Sequence, residues 1–332
     1  MMKNKIIRTN PFENIYKNCN KGNSKKKLKN LAQFPALLDI ELTNNCNLKC
    51  LMCPTGTKML KRNQGFMKPE VFYKILDEVK QFNTPLRLSR WGEPLLHPEI
   101  INYVTEIKKM NILCHINTNG SLLTEEMISF FIKLPLDSIK ISFQGIDRKS
   151  YAEMRNKDNF EFLINTLKHL YRKRGDNVLP YISASTTITY EKKDQVKRFK
   201  ENLSRYTDSL TIGRTVLEYM DIDKTKLSLE DKKTLERLKQ QESVVKKHPE
   251  CSEVFDKLSI NWDGTVSACC GDFDNKMIVG NILKNSLKTI WKSKKLNAYR
   301  SLLSDMRHDD LLLCKTCYDY HGLETPGLQN ID

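Results

Sequence analysis

The sequence predicts an α/β fold of repeated strand–helix units around a curved parallel sheet, followed by a small module stapled by metal. Three observations carry this. Apolar strand-like runs alternate with amphipathic helical runs from Leu37 to Gly213, the pattern of successive βα units. Polar residues recur at every second position within those strands, which parallel strands covered by helices on both faces would not show. Seven of the ten cysteines fall in two tight spacing patterns, one near each end of the chain.

Residues 1–35 form a basic N-terminal segment. Its densest run, Lys25-Lys26-Lys27-Leu28-Lys29, has no interleaved aromatics and reads as a solvated face. The core domain, 36–215, contributes strands at Leu37–Leu42, Leu86–Trp91, Ile112–Thr118, Asp137–Phe143, Tyr181–Ile188 and Ser209–Gly213. Helices at Pro69–Phe82, Pro98–Met110, Thr124–Lys133, Phe160–Arg174 and Asp194–Ser204 connect them. In the strands Asp39, Glu41 and Thr43 alternate with Leu38, Ile40 and Leu42, and Arg87 and Ser89 with Leu86 and Leu88. His115 and Asn117, Ser142 and Gln144, and Ser183 and Ser185 repeat the alternation. Period-two geometry places each polar set on one face, so the concave side of the sheet is expected to be a polar chamber able to take a substrate.

A charged stretch, 216–248, reads as a linker with a helix over Leu227–Val245. The last module, 249–332, carries strand signals at Leu258–Trp262 and Thr265–Ala268 around Asp263-Gly264, then one helix near Ser286–Leu302. It looks too loop-rich to bury much core, so a metal staple is expected.

The formal charge of +15 invites a nucleic-acid reading. Lysines spread along the chain argue against it. No run approaches twenty apolar residues and the N-terminus has no apolar h-region, so neither a membrane span nor a secretory signal is expected and the chain is assigned to the cytoplasm. Cysteines in that reducing compartment read as metal ligands or catalysts rather than disulfides.

Cys46, Cys50 and Cys53 stand as C-x3-C-x2-C directly after the first strand. Three thiolates leave one iron of a four-iron cluster open, whereas zinc requires a fourth ligand that does not follow nearby. This loop resembles the hallmark of the radical S-adenosylmethionine (SAM) superfamily, whose core is a partial (β/α)6 barrel. The resemblance implies a [4Fe-4S] cluster on these cysteines that reductively cleaves bound SAM to a 5′-deoxyadenosyl radical. Trp91-Gly92-Glu93-Pro94 is similar to the family's GGEP motif, with Trp91 in place of its first glycine, which implies that Gly92, Glu93 and Pro94 receive the methionine ammonium of SAM. Thr118-Asn119-Gly120 resembles the TNG turn, and Ser142-Phe143-Gln144-Gly145 sits where the family places ribose ligands. Tyr151-x3-Arg155 is similar to a motif whose arginine meets the SAM carboxylate, and Met52 occupies a usually aromatic position beside the adenine. The SAM-contacting set implied is Met52, Gly92, Glu93, Pro94, Asn119, Ser142, Gln144 and Arg155.

Cys251, Cys269, Cys314 and Cys317 complete a four-thiolate site, which by spacing suits zinc or [4Fe-4S] equally. Cys251-x12-Gly264-x4-Cys269, Ile260 to Val266 and Leu287-x3-Trp291 resemble the SPASM domain. The absence of cysteines after Cys317 resembles its single-cluster twitch form, with spacing similar to the butirosin aminoglycoside dehydrogenase. The resemblance implies a second, auxiliary [4Fe-4S] cluster, with Cys270 as the alternate to Cys269.

The expected function is oxidation or epimerisation at a C–H bond of a small polar substrate, phosphorylated or not, such as a sugar, cyclitol or nucleotide sugar. Glu41, Arg87, Ser89, His115, Asn117 and Lys140 are the candidate chamber contacts, and a flavodoxin or ferredoxin-type protein the expected electron donor. Epimerisation needs a hydrogen-atom donor, for which Cys19, Cys114 and Cys270 are the free thiols. Maturation of a peptide is the alternative within the class, and a non-catalytic metal-binding or RNA-binding protein the alternative outside it.

Overall fold

The computed structural model describes residues 6–19, 23–241, 251 and 253–317. All six expected core strands form: β1 (Leu37–Ile40), β2 (Leu86–Leu88), β3 (Cys114–Thr118), β4 (Ser138–Ser142), β5 (Tyr181–Ile188) and β6 (Ser209–Arg214). They pair in parallel in chain order. Helices cover the convex face. The helix Pro69–Val79 begins on a proline at its first turn and buries Val71, Phe72, Ile75, Leu76 and Val79, the i, i+4 stripe of an amphipathic helix. Phe72 stacks on Tyr103 of the next helix, Ile100–Lys109, with ring centroids 3.7 Å apart. A further helix, Arg148–Arg155, which the sequence reading lacked, follows β4, started by the Asp147 side chain accepting from the Ser150 N–H.

The C-terminal module is not a separate layer. Its first strand, β7 (Lys257–Ile260), pairs in parallel with β1, with Leu38 opposite Leu258. Then β8 (Thr265–Ser267) and β9 (Ile278–Asn281) add antiparallel strands, giving one nine-stranded sheet in the order β6-β5-β4-β3-β2-β1-β7-β8-β9. The third of these is a strand the sequence reading lacked, because Asp272 to Asn275 resemble only a loop. Nor is the module poor in core. Val254, Phe255, Leu258, Ile260, Val266, Ile282, Ile290, Trp291, Leu296 and Leu303 join the hydrophobic cluster of the barrel, so burial and not a metal staple alone holds it. The expected single helix is two, Leu287–Trp291 and Lys294–Ser304, because the Ser293 side chain accepts from the Leu296 N–H and starts a new helix. The linker helix runs Leu229–Gln241; its expected continuation to Val245 lies outside the described residues.

The N-terminal segment is also structural. Phe12 is fully buried and packs edge-on to His115 at 5.7 Å, and the helix Glu13–Cys19 brings Tyr16 under the Arg87 guanidinium at 5.8 Å. This segment closes one end of the chamber. Among the described residues no helix is long and apolar enough to cross a membrane.

Candidate active site

The polar alternation of the strands becomes two rungs across the concave face. Ser259, Asp39, Arg87, His115 and Ser138 stand in register from β7 to β4, and Asn117, Lys140, Ser183 and Ser209 from β3 to β6. All of them except Ser259 line a cavity of about 610 Å3, together with Asn10, Tyr16, Ser89, Arg90, Trp91, Tyr219 and Cys270. Five of the six candidate contacts named from the sequence, Arg87, Ser89, His115, Asn117 and Lys140, meet there. Glu41 does not: it is buried outside the cavity lining, and both its carboxylate oxygens accept from Arg62, at 2.7 and 2.8 Å. Arg87 forms the matching pair with Asp39 at 2.6 and 2.8 Å. Such bidentate pairs fix the side chains and cancel their charge. Burial, helped by the positive charges of Lys140 and Arg87, holds His115 well below the ordinary histidine range, so its imidazole is neutral. Burial also lowers the Lys140 amine.

The loop Cys46–Cys53 sits at the carboxyl ends of β1 to β4, the end of a barrel where ligands bind. Leu51 N–H donates to Met154 O at 2.9 Å, and Arg155 donates to Cys50 Sγ at 3.6 Å and to the carbonyls of Ser142 and Phe143. Asn119 Nδ2 approaches Cys46 Sγ at 3.9 Å. Burial pushes the Cys46 thiol up to about 12 and raises Cys50, against the pull of Arg155. Gly92 is required on steric grounds, since a Cβ there would lie 2.1 Å from Thr43 O. Glu93 ties the ends of β2 and β3: Thr118 Oγ1 and Asn119 N–H donate to it at 2.7 Å and Leu95 N–H at 3.1 Å. These bonds leave one of its four lone-pair positions open.

Ser142 Oγ donates to Asn117 Oδ1 at 2.8 Å, linking the loop end of β4 to the chamber. Met52 packs beside Met154, Leu217, Met220 and Ile222. Pro94 is buried at the start of a short 3-10 turn that keeps Glu93 in place. Gln144 does not join the group. Its amide donates to Thr187 O and Thr215 Oγ1, at 3.1 and 2.6 Å, and only 3% of its surface is exposed, because the strand end turns it toward β5.

In the C-terminal module a hydrogen bond with the Cys270 thiol, then burial, raises the Cys269 thiol, and burial, with smaller contributions from neighbouring thiols, pushes Cys251 and Cys314 up to about 12. Gly271 N–H donates to Cys269 Sγ at 3.3 Å. Cys270 also lines the chamber, within 4.8 Å of Asp39 and Glu253. Cys114 and Cys19 are buried, on the convex face of β3 and beside Asp256.

The donor sets fit iron–sulfur clusters. Three of the thiols share one loop, braced by Arg155 and Asn119, and leave one iron of a four-iron cluster without a protein ligand, while the other four complete a site.

Sequence reasoning missed Arg90, Tyr16 and Arg62. Arg90 falls out of step with the alternation of β2, and Tyr16 lies outside the βα repeat. The Asn10-Pro11-Phe12 turn before a helical run was the available signal for Tyr16.

The model of the radical SAM superfamily matches residues 40–211, and that of the SPASM iron–sulfur cluster-binding domain residues 251–318. An uncharacterized protein of Methanocaldococcus jannaschii is 29% identical over 53% of this chain; the chain spans 56% of its length. The tungsten-containing aldehyde ferredoxin oxidoreductase cofactor-modifying protein of Pyrococcus furiosus is 25% identical, over 83% of this chain and 86% of its own. The S-adenosyl-L-methionine-dependent 2-deoxy-scyllo-inosamine dehydrogenase of Niallia circulans is 21% identical, over 85% and 92%. Among solved structures, BtrN in complex with AdoMet and 2-DOIA shares the fold at a TM-score of 0.54 and 18% identity, over 85% of this chain and 92% of that one. Streptococcus suis SuiB bound to S-adenosylmethionine shares it at 0.64 and 19%, over 90% and 75%. The two domains imply a [4Fe-4S] cluster with SAM and an auxiliary iron–sulfur cluster.

Proposed function

The chain belongs to the radical SAM superfamily, and from that premise we propose that it oxidises a C–H carbon of a small polar substrate, a sugar, cyclitol or nucleotide sugar, inside the chamber. The observation that carries this is the position of the chamber, a polar cavity walled by the core strands and bordered by Trp91, which precedes the Gly92-Glu93 turn, and by Cys270 and Gly271, which follow Cys269. When bound, SAM and the first cluster supply the radical that removes a hydrogen atom, and the auxiliary cluster supplies an acceptor for the electron that follows. Cys46, Cys50 and Cys53 hold the first cluster in this reading. Glu93, Asn119, Ser142 and Arg155 orient SAM, with Met52 along its adenine and Gly92 and Pro94 shaping the backbone. Cys251, Cys269, Cys314 and Cys317 hold the auxiliary cluster.

Within the chamber the chain's own residues position the substrate and take its proton. Ser89 and Asn117, joined by a 3.3 Å hydrogen bond, offer hydroxyl and amide contacts to a polyol. Neutral His115 accepts the proton that leaves with the electron, which balances removal of two hydrogens from a carbinol to give a carbonyl. A flavodoxin or ferredoxin-type protein in the cytoplasm supplies the first electron. Reconstituted protein with SAM and dithionite is expected to release 5′-deoxyadenosine. Its absence from protein holding both clusters would sink the reading.

Epimerisation is the second reading, favoured by Cys270, the one thiol outside the two ligand sets that lines the chamber among the described residues. Its S–H would give a hydrogen atom to the opposite face of the substrate radical, and the thiyl left behind would take one electron from the flavodoxin or ferredoxin-type donor and one proton to restore the thiol. Product formed in D2O carries deuterium at the reacting carbon if this occurs, and a carbonyl product without deuterium if oxidation does.

A further inference from the structure

The charges of the chamber do not balance. Asp39 is matched by Arg87, and Glu253, which reaches within 4.8 Å of Asp39, is matched by Lys257. Two cations among the lining residues have no such partner. Lys140, in the middle of β4 and partly exposed to the cavity, makes no hydrogen bond or ion pair with any described residue. Arg90 has a side chain only 1% exposed. Its Nη2 donates to Asp272 O at 2.8 Å, while its Nε and Nη1 have no hydrogen-bond partner. The nearest carboxylate, Glu41, is 4.0 Å away and already bidentate with Arg62. The Asp272 carboxylate is engaged by Ser267 and by the N–H groups of Lys276 and Met277. Trp91 also lines the cavity, with a buried indole N–H that lacks an acceptor.

A buried cation without a counter-charge is costly, and so is a buried donor without an acceptor. Three donor-only groups around one cavity, with its carboxylates already paired, leave a deficit that a neutral polyol does not fill. An oxyanion fills it. We propose that the substrate carries a phosphoryl or carboxylate group, seated on Lys140 and Arg90. This rests on the reading of the chamber as the substrate site and adds the charge of the substrate to it. Burial and the neighbouring charge of Arg87 lower the basicity of Lys140, and an oxyanion alongside would oppose both.

The test uses the reconstituted holoenzyme with SAM bound, so that the clusters and the SAM carboxylate have already claimed whatever cations they use. Acylation of Lys140 by a small amine-reactive ester is followed by mass spectrometry, with inorganic phosphate or acetate added and chloride as the control at equal ionic strength. At least one oxyanion is expected to slow the modification of Lys140 about tenfold while exposed lysines change less than about twofold; phosphate acting alone identifies a phosphoryl group, acetate alone a carboxylate. Calorimetric affinity for the protecting anion is expected to fall at least about tenfold in Lys140→Met and to recover in part in Lys140→Arg. Equal modification of Lys140 with both anions and with chloride overturns the proposal, as does unchanged affinity in Lys140→Met. Release of 5′-deoxyadenosine by the wild-type protein is measured in parallel. Cleavage of SAM without protection of Lys140 removes the anion and leaves the enzyme reading; protection without cleavage does the reverse.

Discussion

The two cysteine sets are built in opposite ways. Cys46, Cys50 and Cys53 lie within eight residues of one loop, and what places them comes from elsewhere: the backbone of Gly92 against Thr43, the Arg155 guanidinium on Cys50, the Asn119 amide on Cys46. Cys251, Cys269, Cys314 and Cys317 are drawn from three places in a segment of sixty-seven residues. They are held by the core beneath them, in which Trp291 donates to Ala32 O at 2.8 Å and Arg300 lies 4.1 Å over its ring. A local set owes its geometry to braces, and a dispersed set to the fold. The first therefore has many single points of failure for chemistry, and the second has them for stability.

That contrast can be broken most sharply at the ligands. Cys50→Ala is expected to lower 5′-deoxyadenosine release by more than about a thousandfold, because no other thiol can complete the loop. Cys314→Ala should instead halve the iron content, from about eight to about four atoms per chain, by removing only the dispersed site. Equal loss of both clusters in either variant would show that the two sets assemble together. Gly92→Ala tests the bracing: its methyl group meets Thr43 O, and a rate loss of about a hundredfold is expected from displacement of the loop by even 1 Å, read as 5′-deoxyadenosine release at full iron loading. Arg155→Met should cost about tenfold in the same assay, through loss of the cation beside the thiolates.

Effects on stability belong to the other side of the comparison. Asp39→Asn leaves Arg87 charged and unpaired, but Arg87 keeps 22% of its side chain exposed, so about 2 kcal/mol is expected, less than for a fully buried pair. Trp291→Phe removes one buried hydrogen bond and should cost about 1 kcal/mol. Both are read by urea denaturation, and a larger loss at Trp291 than at Asp39 would put the weak point of the fold in the C-terminal module.

The six core strands were legible because their signal is local: alternation along β5, for instance, survives as alternating burial from Ile182 to Ile188. The chamber was legible for the same reason, and Arg87, His115 and Lys140 fall where period-two geometry puts them. Parity alone does not say which polar residue on a face remains free. Glu41 and Gln144 share the expected parity, yet Arg62 and Thr215, neither adjacent in sequence nor part of any pattern, engage them. Arg90 shows the converse, a chamber residue out of step with the strand because it lies just past the end of β2. The assignment of Cys269 and Cys270 to different neighbours was also beyond spacing, since adjacent residues differ only in the direction the turn gives them. Long-range pairing was beyond local pattern as well, for nothing within Lys257–Ile260 announces that its partner is β1.

The pairing of β7 with β1 bears on how the protein is made. Leu38 must wait for Leu258, about 220 residues later, so one edge of β1 stays uncovered while the rest of the barrel is synthesised. Contacts of such separation form slowly, and an open apolar strand edge invites association with other chains. A ribosome releasing this polypeptide would carry a nearly complete barrel with an unfinished seam, and chaperone dependence in the nascent chain is expected to end only when the β7 sequence has cleared the exit tunnel.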